Sequence, residues 1–128
     1  MKIAALISRI LLGLVFLIFG LNGFLLFIPG STMIPPGLAG QFSTAMMQSH
    51  YMAAICAFEV VGGAFLLSGF YVPLGLVILG PILVNILLFH LFMLPAGIAP
   101  GTIAAILWLI VFIYNRRHFA GIFVQKTS

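Results

Sequence analysis

Long apolar runs, broken by short stretches rich in polar residues, Pro and Gly, dominate the chain. Residues 10–28 are apolar except for Asn22, with Arg9 just before them. Residues 51–70, 72–94 and 98–114 form three more such runs. Each approaches or exceeds the roughly 20 residues a helix needs to cross a hydrocarbon core about 30 Å thick. The runs are too long for strands and lack the alternating polar face of a membrane barrel. The pattern therefore predicts four helical spans. The stretch between the first two, residues 29–50, contains "IPPG" and "QFSTAMMQSH" and reads as a loop carrying a short amphipathic helix over residues 38–48. "SGFYVPLG" turns the chain between the second and third spans: Gly69 suits a helix C-terminal cap, and Pro73 the first turn of the next helix. "PAGIAPG" makes the last turn.

Composition decides what surrounds these helices. The chain is 64% hydrophobic and only 5% charged, whereas a water-soluble domain carries about 25% charged residues. Six charges cannot solvate 128 residues, so the expected solvent is lipid. The expected fold is an all-α integral membrane four-helix bundle, a single domain over residues 1–128, with no room for a separate soluble catalytic domain. The start "MKIAALISRILLG" has features of a signal peptide. Its apolar run is too long for one and no A-x-A-like cleavage site follows, so a retained first span is expected.

The net charge of +4 carries topology information. Lys2 and Arg9 flank the start of the first span, and Arg116, Arg117 and Lys126 follow the fourth. The long loop and the two turns have no Lys or Arg. The positive-inside rule then places both termini in the cytoplasm, which requires an even number of spans and agrees with four. With no basic stripe and no aqueous face to carry one, nucleic acid is not an expected partner. The single cysteine, Cys56, excludes an intrachain disulfide, a CxxC pair and a cysteine zinc cluster.

The chemistry rests on few residues. Glu59, in "AFEVVGG", is the only acid in the chain. At 1.5 Å per residue, Asn22 lies roughly 9 Å below the outer edge, Glu59 roughly 12 Å, Asn85 roughly 13 Å and His90 roughly 6 Å. Four polar side chains from three spans thus share the outer half of the membrane. An ionised residue at a helix centre costs about 2.5–3.5 kcal/mol on translocon scales. Glu59 meets that cost by holding its proton and donating a hydrogen bond, or by staying ionised against His90 or, less easily, Arg9. Its alternatives are a hydrogen bond that fixes helix register and a contact to a ligand. For Asn22 and Asn85 the plain reading is interhelical hydrogen bonding. Gly13, Gly20 and Gly23 mark one stripe of the first span, and Gly62 and Gly63 follow Glu59. Such glycines either bring helices close or form the wall of a pocket. His50 and His90 both lie near the outer face, with no haem signature around them. Phe119, Ile122 and Phe123 suit an interfacial position, and Trp108 a packing or lipid-facing one.

"FGLNGFLLFIP", "EVVGGAFLLSGFYVPLGLVILGP" and "VNILLFHLF", in this order and spacing, resemble the DoxX family of bacterial four-helix membrane proteins. The resemblance covers nearly the whole chain. It implies a multi-pass protein of the bacterial inner membrane. It maps Glu59, Gly62 and Gly63 onto the family's acid-plus-glycines pattern, and Asn85 and His90 onto the N-to-H pattern of one branch. Many relatives have a lysine after the glycine of the first span, where this chain reads Gly20-Leu21-Asn22-Gly23. Some relatives are linked to a thiosulfate:quinone oxidoreductase subunit or to oxidative-stress complexes.

The leading expectation is a binding module or accessory subunit, with Glu59, His90, Asn85 and Asn22 holding a small apolar ligand such as a quinone or lipid. A partner protein or a second copy is an alternative occupant. The competing expectations are a membrane subunit of a quinone-linked oxidoreductase, drawing electrons from a partner, and a small transporter with Glu59 and His90 as a proton relay. No metal site and no catalytic residue of the chain alone is expected.

Overall fold

The structure is a computed structural model and describes residues 1–127, among which every regular element is helical. Five α-helices follow one another: α1 (Lys2–Leu25), α2 (Gly37–Gln48), α3 (Tyr51–Ser68), α4 (Val72–Met93) and α5 (Ile98–Tyr114). A 3-10 turn, Pro95–Gly97, leads into α5, and a longer 3-10 segment, Arg116–Phe123, follows it. Four of these helices are long and apolar enough to cross a membrane: α1, α3, α4, and α5 with its preceding turn. They form a ring in which α1 packs on α3 and α5, and α4 packs on the same two. The short α2 lies against α3 and α4, pinned by Phe42 against Phe89 with ring centroids 5.5 Å apart.

The first helix departs from the expected span. It begins at Lys2 and ends at Leu25, so Lys2 and Arg9 stand within it rather than before it. Its early end has a local cause. The Leu26 N–H donates to the Asn22 carbonyl with Leu26 in the left-handed conformation, φ 52°, and the Asn22 side chain takes the next free donor, as described below.

Glycines set the α1–α3 distance. A Cβ built on Gly13 would stand 2.8 Å from the Leu67 nitrogen and 3.0 Å from the Gly63 carbonyl oxygen. One built on Gly63 would stand 2.7 Å from the Leu17 nitrogen and 2.9 Å from the Gly13 carbonyl oxygen. The two helices touch backbone to backbone, the arrangement small residues permit between membrane helices. Gly20 faces the Cys56 carbonyl and the Glu59 Cβ in the same way, each 3.0 Å from a built Cβ, and Gly23 faces the Cys56 side chain. Gly62 receives the Leu79 side chain from α4.

The interior is packed unevenly. Its largest fully buried side chains are Leu12, Leu66, Leu76, Leu79 and Val111. These lie towards the start of α1 and α4 and the end of α3 and α5, which is one end of the bundle. At the other end Phe24, Leu25, Leu88 and Leu91 are exposed, and Ile86, Leu87 and Phe89 are half-buried.

The α3–α4 turn follows the sequence reading. Gly69 adopts φ 82° and its N–H bonds the Phe65 carbonyl, a conformation glycine reaches without a Cβ penalty, and Pro73 occupies the first turn of α4. Pro81 sits inside α4, where it deprives the Val77 carbonyl of its donor. Beside that gap Trp108 Nε1 of α5 donates to the Leu76 carbonyl at 3.1 Å, its ring over Gly80. The indole stacks on Phe112 with centroids 5.2 Å apart. Phe112 in turn meets Phe119 at 4.9 Å, so Phe119 is buried, whereas Ile122 and Phe123 are exposed. The interfacial placement expected for all three therefore fails for Phe119, because a 3-10 turn folds it back under α5.

Candidate functional site

Glu59 lies on the face of α3 that also carries Cys56, Gly63 and Leu66, spaced three and four residues apart as on one helical stripe. Those three are buried, and Glu59 is half-buried among them. Its Cβ rests against Gly20 of α1. The only acid of the chain therefore faces the bundle at the α1–α3 contact.

The expected polar companions have local partners. Asn22 is buried, and its Oδ1 accepts from the Ile28 N–H at 2.8 Å. It closes the end of α1, satisfying one of the backbone groups a helix terminus leaves open, and makes no interhelical bond among the described residues. Asn85 is exposed and its Nδ2 donates to the Pro81 carbonyl at 2.8 Å, one turn back on α4. This again replaces the expected interhelical bond with one inside the helix. His90 is half-buried, with Nδ1 at 3.3 Å from the Leu94 carbonyl. Its ring lies edge-on to Phe89 at 5.1 Å and covers Gly97, at the corner between α4 and α5. His50 is exposed in the left-handed conformation, φ 65°, just before α3.

Arg9 is not a partner for Glu59. Its Nη1 donates to the Leu66 carbonyl, and the guanidinium packs over Gly69. Leu66 is seven residues beyond Glu59 on α3, about 10 Å along the axis. Arg9 thus caps the C-terminal end of α3, where carbonyls lack intrahelical donors and a cation is favoured. The sequence signal for this was available in principle: an arginine inside an apolar helix must find acceptors, and the end of an antiparallel neighbour offers them.

Glu59 is left without a hydrogen bond or ion pair among the described residues. No side-chain nitrogen or oxygen sealed inside the described protein lacks a partner. The unbonded Glu59 carboxyl therefore keeps an opening to its surroundings. The glycines around it do not widen that opening: Val60 and Glu59 close the space at Gly20, Cys56 at Gly23, Leu79 at Gly62, and the α1 backbone at Gly63. No group of three or more His, Cys, Asp or Glu among the described residues is placed to hold a metal.

Comparison with known proteins adds no relative: no family model, no curated protein and no solved structure matches the chain.

Proposed function

We propose that this protein is a membrane-embedded binding module whose intramembrane anchor is Glu59. Its ligand is a small, mainly apolar molecule with one polar head, of the quinone or lipid class. The observation that carries the reading is the solitary carboxyl: Glu59 faces the bundle, is half-buried, and has no partner within its own chain among the described residues. A carboxyl in hydrocarbon needs a partner or water, and here both have to come from outside the chain. When protonated, the carboxyl donates to a carbonyl or hydroxyl; when ionised, it accepts from a hydroxyl. Asn22, Asn85 and His90 each commit one atom to the backbone and have only Nδ2, Oδ1 and Nε2 respectively left for a ligand, whereas both Glu59 oxygens are uncommitted. Glu59 is therefore the primary anchor, and His90, whose 3.3 Å contact is the longest of the three, is the most readily recruited of the others.

The proposal includes the setting. The four long helices cross the bacterial inner membrane, with both termini cytoplasmic, as the positions of Lys2, Arg9, Arg116, Arg117 and Lys126 favour. The proposal also includes kinship with the DoxX family, whose motifs the stretches around Asn22, Glu59 and His90 resemble. A partner subunit that delivers electrons or substrate to the bound molecule is compatible with this role, and the chain is not an enzyme on its own.

The test is native mass spectrometry of protein purified in mild detergent. The wild type is expected to retain a bound small molecule, and Glu59→Gln to lose most of it while keeping the same helical content by circular dichroism. A wild type that carries nothing, or a variant with the same occupancy, overturns the proposal.

A further inference from the structure

A second polar feature lies at the opposite end of the bundle from the long loop. The α1 start and the α5 end sit side by side there, because α1 packs on α5 and the four long helices alternate in direction. This end holds Lys2, Arg9, Arg116, Arg117 and Lys126, all five Lys and Arg of the chain. Glu59, the only acid, is about 10 Å along α3 from the carbonyl that engages Arg9. Among the described residues no acidic side chain is paired with these cations.

The α5 terminus shapes part of this end into a site. Asn115 Nδ2 donates to the Val111 carbonyl at 2.8 Å and Arg116 Nη1 to the Ile113 carbonyl at 3.0 Å. The Asn115 N–H also bonds Val111 and Phe112. The carbonyls that make a helix C-terminus electronegative are thus occupied by donors. A guanidinium has five N–H donors, so one bond to Ile113 leaves Arg116 able to bind a second acceptor. Arg117 and His118 are exposed beside it. Tyr114, Asn115, Arg116, Arg117 and His118 together line a cavity of about 300 Å³. The 3-10 segment that begins at Arg116 goes on to Ile122 and Phe123, 68% and 74% exposed. A cavity with two arginines at its wall, on a segment that also bears bare apolar side chains, fits an amphiphile with an anionic head.

We infer that the Tyr114–His118 cavity binds the phosphate headgroup of an anionic glycerophospholipid, with Ile122 and Phe123 lying along its acyl chains. Arg116 and Arg117 hold the phosphate oxygens, which guanidinium groups match geometrically, and Tyr114 and His118 complete the wall. The inference shares the membrane setting of the proposal above but not its site.

The experiment is a lipid titration of the purified full chain, read by native mass spectrometry, with phosphatidylglycerol and with phosphatidylcholine. The wild type is expected to bind phosphatidylglycerol at least tenfold more tightly. Arg116→Gln with Arg117→Gln lowers that affinity about thirtyfold, and Arg117→Gln alone about fivefold, while phosphatidylcholine binding stays unchanged. Arg117 makes no bond to the described chain, so the single variant tests the site even where the double variant unfolds. Glu59→Gln leaves phosphatidylglycerol binding intact, which separates failure of this site from failure of the Glu59 reading. Equal affinity for the two lipids, or phosphatidylglycerol binding unmoved by Arg117→Gln, overturns the inference. Displacement of phosphatidylglycerol by inorganic phosphate at equal concentration identifies a soluble-anion site and overturns the lipid assignment.

Discussion

Gly63→Ala tests the α1–α3 contact most directly. A Cβ at this position stands 2.7 Å from the Leu17 nitrogen and 2.9 Å from the Gly13 carbonyl oxygen, both backbone atoms. No rotamer change relieves the clash, so α1 and α3 must separate. Reaching an ordinary contact of about 3.4 Å requires a retreat of roughly 0.7 Å, and a gap of 0.5–1 Å forfeits a quarter to a half of each close contact. Over a few dozen atom pairs at about 0.1–0.2 kcal/mol each, this costs about 1–2 kcal/mol, within the usual 1–3 kcal/mol of an overpacked core. The better helix propensity of alanine returns up to about 1 kcal/mol. The net expectation is a loss of about 1 kcal/mol, read by unfolding in mixed detergent micelles followed by circular dichroism. Gly13→Ala behaves alike, and the double variant costs less than the sum, because one separation accommodates both methyls. Gly121→Ala is the control, since a Cβ there meets nothing within 4 Å. A Gly63→Ala protein as stable as the wild type, or an additive double variant, refutes the argument that backbone contact sets this interface.

Substitutions at two other positions probe the bonds that join helices. Arg9→Ala strips the charged donor from the Leu66 carbonyl and is expected to cost about 1.5–3 kcal/mol in the same unfolding assay; Arg9→Lys recovers part of it, because an ammonium keeps the charge but not the planar fork. Trp108→Phe keeps an aromatic ring against Phe112 but loses the 3.1 Å bond to Leu76, for an expected loss of about 0.5–1.5 kcal/mol and faster amide exchange in α4 around Pro81.

The four long helices were legible because apolar length is a strong signal, and the α3–α4 turn because Gly69 and Pro73 each have one conformational use there. Less legible were contacts that require two distant residues to meet. An arginine inside the apolar α1 announces that it needs acceptors but not which helix end supplies them, and the same arginine misplaced the start of α1, since a charge reads as a boundary until its acceptor is known. Asn22 and Asn85 were legible as polar residues needing partners but not as residues that find them on their own backbone. That choice depends on where α1 ends and where Pro81 disturbs α4. Phe119 escaped for a similar reason: its burial depends on a 3-10 turn that its composition does not announce. Glu59 was singled out by being the one acid, and its lack of an internal partner became visible only once each neighbour's own bond was located.

The α1–α3 contact has a mechanical consequence. The close contacts between α1 and α3 run from Gly13–Gly63 through Gly20–Glu59 to Gly23–Cys56, so the two helices resemble the arms of tweezers joined along most of their length. Glu59 lies inside the joined stretch. Tyr51, the first residue of α3, lies five residues, about 7.5 Å, beyond the last of these contacts at Cys56. Opening of the arms is confined to that free tip, next to α2, while the carboxyl is held in the part that stays closed: a geometry that lets the tip breathe without disturbing the group below it.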